Sequence, residues 1–165
     1  MSRHALIVDD NVSNVEALKI LLRREDVTST TLISPINLPE LLETLGPVDL
    51  VFLDLEFPNY RGFDILAQLQ ADPRLAGATF VAYTVHVSEQ NEARQAGFHS
   101  FIGKPLDVHR FPDQLRRILL RHREDRAQEP DRQIAADLAD EVELALRQGL
   151  VEHVEVGAHG GGQVL

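Results

Sequence analysis

Five polar side chains in this 165-residue sequence stand at the ends of apolar runs, and their types could do chemistry together. Asp9 and Asp10 close the run His4–Val8. Asp54 closes Val48–Leu53, Thr84 closes Thr79–Tyr83, and Lys104 follows Phe98–Ile102. If those runs are neighbouring strands, three carboxylates, a hydroxyl and an ammonium meet on one edge of a sheet. Three close carboxylates repel one another and cannot all stay ionised without compensation. A hard divalent cation is the simplest remedy. Mg2+ suits one or two carboxylates completed by waters and phosphate oxygens. A carboxylate can also act as a nucleophile and form an aspartyl phosphate. The cation, the ammonium and the hydroxyl would then hold the three phosphoryl oxygens. Each piece alone has a plainer reading. The acidic pair could simply open a helix, Thr84 could be an ordinary strand-end hydroxyl, and Lys104 a solvated lysine. Their joint placement gives them weight.

The surrounding sequence supplies elements able to position these groups. Besides the four runs named above, Thr28–Ile33 reads as a strand. The near-continuous apolar character of His4–Val8, Val48–Leu53 and Thr79–Tyr83 suits strands covered on both faces. Helical spacing recurs between the runs. Asn11–Arg24 places Val15, Leu18, Leu22 and Ile20-Leu21 on a broad stripe, and Leu38–Leu45 and Gly62–Ala71 follow. Ser88–Ala96 is bounded by a candidate N-cap, Ser88, and a candidate stop, Gly97. Asp107–His122, capped by Asp107, would set Val108, Phe111, Leu115, Ile118 and Leu119 on one face. Five alternations of strand and helix imply a parallel sheet with helices on both sides. Right-handed crossovers favour the doubly wound order 2-1-3-4-5. Ligands of such sheets sit beyond the carboxyl ends of the strands, between the first and third. That is where the acidic residues fall.

Several stretches resemble the receiver domains of bacterial two-component response regulators. They are Val8-Asp9-Asp10-Asn11-Val12-Ser13-Asn14, Val48–Asp54, the loop residues Pro58, Gly62 and Phe63, Val81-Ala82-Tyr83-Thr84, and Phe101-Ile102-Gly103-Lys104-Pro105. The resemblance covers roughly residues 3–122 in order. It implies a flavodoxin-like fold of five strands and five helices, and a role for each residue. Asp54 would accept the phosphoryl group. Asp10 and Asp54 would ligate Mg2+ directly, Asp9 mostly through water, and the backbone carbonyl of Glu56 would be a further ligand. Thr84 and Lys104 would hold phosphoryl oxygens, with a cis peptide bond joining Lys104 to Pro105. Phe101 would change rotamer together with Thr84. The signal would be read on the face made by helix 4, strand 5 and helix 5. Implied partners are a sensor histidine kinase or histidine phosphotransfer protein, and a downstream protein target. That face and a C-terminal helix are the places where a homodimer would form; the sequence does not fix the oligomeric state. Some positions depart from the common pattern: Glu56, Phe57, Arg61, and Val85 with His86. Val85 is expected to crowd an attacking water and Glu56 to add negative charge, both slowing loss of the phosphoryl group.

The charge balance sets limits on function. The formal net charge is −10, and residues 124–165 carry 10 acidic residues against 3 basic ones. Such a tail argues against binding a phosphate backbone, so no nucleic-acid partner is expected. The shift marks a boundary at 123/124. A receiver would precede it. An acidic linker, an amphipathic helix over 133–148 and a glycine-rich end would follow. No apolar run reaches the roughly 20 residues a membrane span needs, and no signal peptide is visible. There are no cysteines, which excludes thiol chemistry. A cytoplasmic, non-enzymatic switch is the expectation. Two alternatives compete with it. A degenerate receiver would bind partners without phosphorylation, although the acid cluster, Thr84 and Lys104 are all retained. Leu53-Asp54-Leu55-Glu56 also resembles the Asp-x-Asp of haloacid-dehalogenase-like phosphatases. Here, however, it lies on the third strand, and no cap is visible.

Overall fold

The computed structural model describes residues 3–121 together with 123, 124 and 127. Strands β1 (Arg3–Val8), β2 (Val27–Leu32), β3 (Leu50–Leu53), β4 (Thr79–Thr84) and β5 (Ser100–Gly103) form one parallel sheet. Its order is β2-β1-β3-β4-β5, as expected. Helices α1 (Val12–Arg24), α2 (Leu38–Thr44), α3 (Gly62–Gln70) and α4 (Gln90–Ala96) alternate with the strands. A fifth helix, α5, occupies residues 111–121.

Side-chain alternation along each strand divides the core into two layers. Leu6, Val8, Val51, Leu53, Phe80 and Ala82 face Ile65, Leu66 and Leu69 of α3 and Ala93 of α4. Ala5, Ile7, Phe52, Val81 and Tyr83 face Leu18 and Leu22 of α1 and Phe111 and Leu115 of α5. All six residues of β4 are buried, as a strand covered on both faces requires.

Local chemistry moves several boundaries. Asn11 caps α1, its side chain accepting the Asn14 amide at 3.1 Å. Ser88, by contrast, lies inside a 3-10 turn, Val87–Glu89, and α4 begins after it without a side-chain cap. Gly97 does end α4, at φ 107°. The Phe98 amide then bonds back to the Ala93 carbonyl at 3.0 Å. That bond holds Phe98 in the helix exit, so β5 starts at Ser100 rather than Phe98. Gln70, at the end of α3, donates to the Gly97 carbonyl at 3.3 Å. Asp107 accepts the amides of His109 at 2.9 Å and Arg110 at 3.2 Å, but it caps a turn. The helix proper begins at 111, which leaves Val108 half exposed instead of in the core. Ile20 on α1 is likewise half exposed, and Leu21 takes the buried position. Residues 123, 124 and 127 are also helical, where the charge shift sets the start of the linker. The expected helix over 133–148 lies outside the described residues.

Candidate functional site

The site is built where β1, β3, β4 and β5 end together. The Asp54 amide donates to the Val8 carbonyl at 2.9 Å, and the Lys104 amide to the Thr84 carbonyl at 2.9 Å. These bonds tie β1 to β3 and β4 to β5, and the pairing of Leu53 with Ala82 sets β3 in register with β4. Asp9 is fully buried, Asp54 almost so, and Asp10 is exposed. Carboxylate oxygens of the three lie within 4.8 Å of one another. Lys104 reaches in from the far strand. Its Nζ donates to Asp9 Oδ2 at 2.7 Å and stands 3.0 Å from Asp54 Oδ2. The second oxygen of Asp9 accepts the Asn11 amide at 2.8 Å. The second oxygen of Asp54 accepts the Glu56 amide at 3.3 Å. Every buried oxygen of the cluster thus has a donor, as a buried charge demands.

The donor set suits a hard divalent cation. Three carboxylates against one ammonium leave two negative charges. The oxygens come from one exposed and two sunken residues, an open arrangement rather than a closed cage. Thr84 is fully buried at the rim, its Oγ1 accepting the His86 amide at 3.3 Å. Phe101 is half buried and packs against the α3–α4 layer of the core. The peptide bond between Lys104 and Pro105 is cis, as expected.

Gly62 is required by space. A Cβ there would meet Leu55 Cα at 2.5 Å and the Asp54 carbonyl oxygen at 2.8 Å. Its amide donates to the Leu55 carbonyl at 3.2 Å, and Glu56 pairs with Arg61, so the β3–α3 loop folds tightly back under Asp54.

Two participants escaped the sequence reading. Tyr83 places its ring 4.6 Å beneath the Lys104 ammonium, a cation–π contact that backs the lysine's position. Burial, and then the carboxylates of Asp9 and Asp54, push its phenol well above the usual value. The signal was available: Tyr83 precedes Thr84 on a buried strand and so faces the opposite layer. His86 is the other. It carries no expected role in the sequence, yet its Nε2 pairs with the Glu56 carboxylate across the mouth of the site. The lone negative charge expected of Glu56 therefore has a partner. No spacing rule would have joined two residues 30 positions apart. His4 and His99 also have structural partners. His4 bonds both Thr28 and Thr30, and His99 accepts the Phe80 amide.

A doubly wound sheet with an acid cluster and one lysine at its switch point defines a flavodoxin-like α/β protein with an ion-handling crevice. Residues 5–116 match the response regulator receiver domain family, and the chain belongs to it: this is the receiver domain of a two-component signalling switch. The polar-differentiation response regulator DivK of Brucella ovis is 26% identical over 121 residues, 72% of this chain and 98% of DivK. A CheY-like receiver domain from Methylobacillus flagellatus is 27% identical with a TM-score of 0.63, covering 72% of this chain and 99% of that one. A CheY-like receiver from Methanospirillum hungatei, 17% identical, shares the fold at a TM-score of 0.65 over 76% of this chain and 99% of its own. Among the described residues no helix is long and apolar enough to cross a membrane.

Proposed function

We propose that Asp54 accepts a phosphoryl group from a phosphohistidine of a sensor kinase or phosphotransfer protein, with Mg2+ as the cation. In that step a carboxylate oxygen of Asp54 forms the new oxygen–phosphorus bond. The phosphorus–nitrogen bond breaks, and the imidazole leaves as the neutral base once it has taken up a proton. Asp10, Asp54 and the Glu56 carbonyl would ligate Mg2+, with Asp9 acting through water; the ion supplies charge neutralisation at the phosphoryl oxygens. Lys104 pairs with one of those oxygens and Thr84 donates its hydroxyl to another. Phe101, on the next strand opposite Ala82, carries the change to the α4–β5–α5 face, where a downstream protein reads it. Residues 1–123 are the switch, and 124–165 an acidic extension.

One observation carries this reading: a single ammonium lies 2.7 Å from Asp9 and 3.0 Å from Asp54, beside a third carboxylate. Incubation with Mg2+ and acetyl phosphate, followed by intact-mass measurement, tests it. The expected result is one stable phosphoryl adduct, not formed when EDTA is present from the start and absent in Asp54→Asn. No adduct on the wild-type chain overturns the reading in favour of a degenerate receiver. Repeated turnover of small phosphoesters overturns it in favour of an enzyme.

A further inference from the structure

Among the described residues β2 is an edge of the sheet, and it differs from an ordinary strand edge. An exposed edge offers unpaired amides and carbonyls to any other strand, and proteins blunt such edges with charge, proline or bulges. None of these is present in β2, whose sequence is Val27-Thr-Ser-Thr-Thr-Leu32. Four of its six residues are Thr or Ser, uncharged, and three of those are β-branched. The opposite edge, β5, is shorter, and Arg117 and Arg121 flank the groove beside it. Self-pairing there would bring like charges together.

The backbone dictates how β2 could pair. The Asp9 amide bonds to the Leu32 carbonyl, so Leu32 directs its backbone groups toward β1. Alternation then turns those of Thr28 and Thr30 inward and those of Val27, Ser29 and Thr31 outward. In an antiparallel ladder, outward-directed residues must face one another to exchange bonds. Centred pairing of two identical strands therefore sets Ser29 opposite Ser29 and Val27 opposite Thr31, with a two-fold axis through Ser29. That register makes six backbone hydrogen bonds without disturbing β1. Its surroundings fit a second copy. The groove beside the edge is lined by Lys19 and Arg23 of α1 and by Asp26 just ahead of β2. Glu16 stands on the same flank, nearer the helix start. The two-fold runs the α1 helices antiparallel, so the acidic end of each stripe faces the basic end of the other. Val12 and Ile20 on α1, and Ile33 and Ile36 beyond β2, are four of the eight exposed large apolar side chains among the described residues.

We propose that two copies of this chain associate edge to edge through antiparallel β2 strands, joining their sheets into one of ten strands about Ser29.

The full-length chain tests this. Sedimentation equilibrium should show a concentration-dependent dimer. Ser29→Pro removes only an outward amide, a change edge strands tolerate. It should weaken the dimer by at least about tenfold while circular dichroism and Asp54 labelling remain. The chain has no cysteine of its own. A hydrogen-bonded antiparallel pair sets its Cα atoms about 5.5 Å apart, within disulfide range. Ser29→Cys should therefore cross-link to a covalent dimer under mild oxidation. A wild-type chain that stays monomeric, a folded Ser29→Pro variant that still dimerises, or a Ser29→Cys variant that does not cross-link overturns the proposal. All three readouts are independent of phosphorylation.

Discussion

At the scale of single residues, Lys104 does two jobs with one charge. It neutralises a buried carboxylate, Asp9, and it stands against the edge of Asp54 where a new anion would form. Removing one partner of a buried ion pair leaves the other uncompensated, typically at about 3–5 kcal/mol. Lys104→Met should therefore destabilise the fold by about 3 kcal/mol in urea titration and abolish acetyl-phosphate labelling. Thr84→Ala should lower labelling with a far smaller loss of stability. The mouth of the site makes a separate prediction. Val85 is 52% exposed beside Thr84, and the Glu56–His86 pair lies across the same opening. Val85→Ala should shorten the lifetime of phospho-Asp54, followed by decay of the intact-mass adduct. An unchanged or longer lifetime in Val85→Ala would remove the steric part of that account.

At the scale of elements, the sheet was far more legible than the helix ends. Short apolar runs closed by Asp54 and Thr84 read as strands, and both residues do stand at strand ends. Helix starts were harder. Ser88 and Asp107 have N-cap chemistry, but a short polar side chain serves a turn as readily as a helix. Sequence does not say which the following residues will form. Asn11 is the case where the two agree. Asn11→Ala should cost about 1 kcal/mol through loss of the cap, measured by denaturant titration of the magnesium-free protein. Gly62→Ala should cost more, about 1–3 kcal/mol, because the added methyl meets backbone rather than a movable side chain. Its labelling should fall as well, since the strained atoms belong to Asp54 and Leu55.

At the scale of the whole molecule, the positions of Asp9, Asp10, Asp54, Thr84 and Lys104 were legible because topology alone makes strand ends converge. What topology cannot supply is the partnering of side chains from different loops. That is why the pairing of His86 with Glu56 emerged only in three dimensions. Tyr83 also ties the site to global stability. Its folded phenol loses its proton at higher pH than the unfolded one, whose ordinary value is 10.0. Above that pH the unfolded chain holds fewer protons than the native one, so stability falls as pH rises. It is fully present below about pH 10. Unfolding free energies measured between pH 9 and 12 should decline for the wild-type chain. They should decline less for Tyr83→Phe.

The side-chain amide of Gln70 grips the carbonyl at Gly97, where α4 ends. The same glutamine occupies the space a Cβ at that glycine would need. A seven-residue helix held at its tail and entered without a side-chain cap at its head would pivot about the held end. Displacement of the Thr84 loop would swing the head through the widest arc and leave the tail nearly still. A binding partner that grips the first turn of α4 would therefore sense the switch far more strongly than one resting near Gly97.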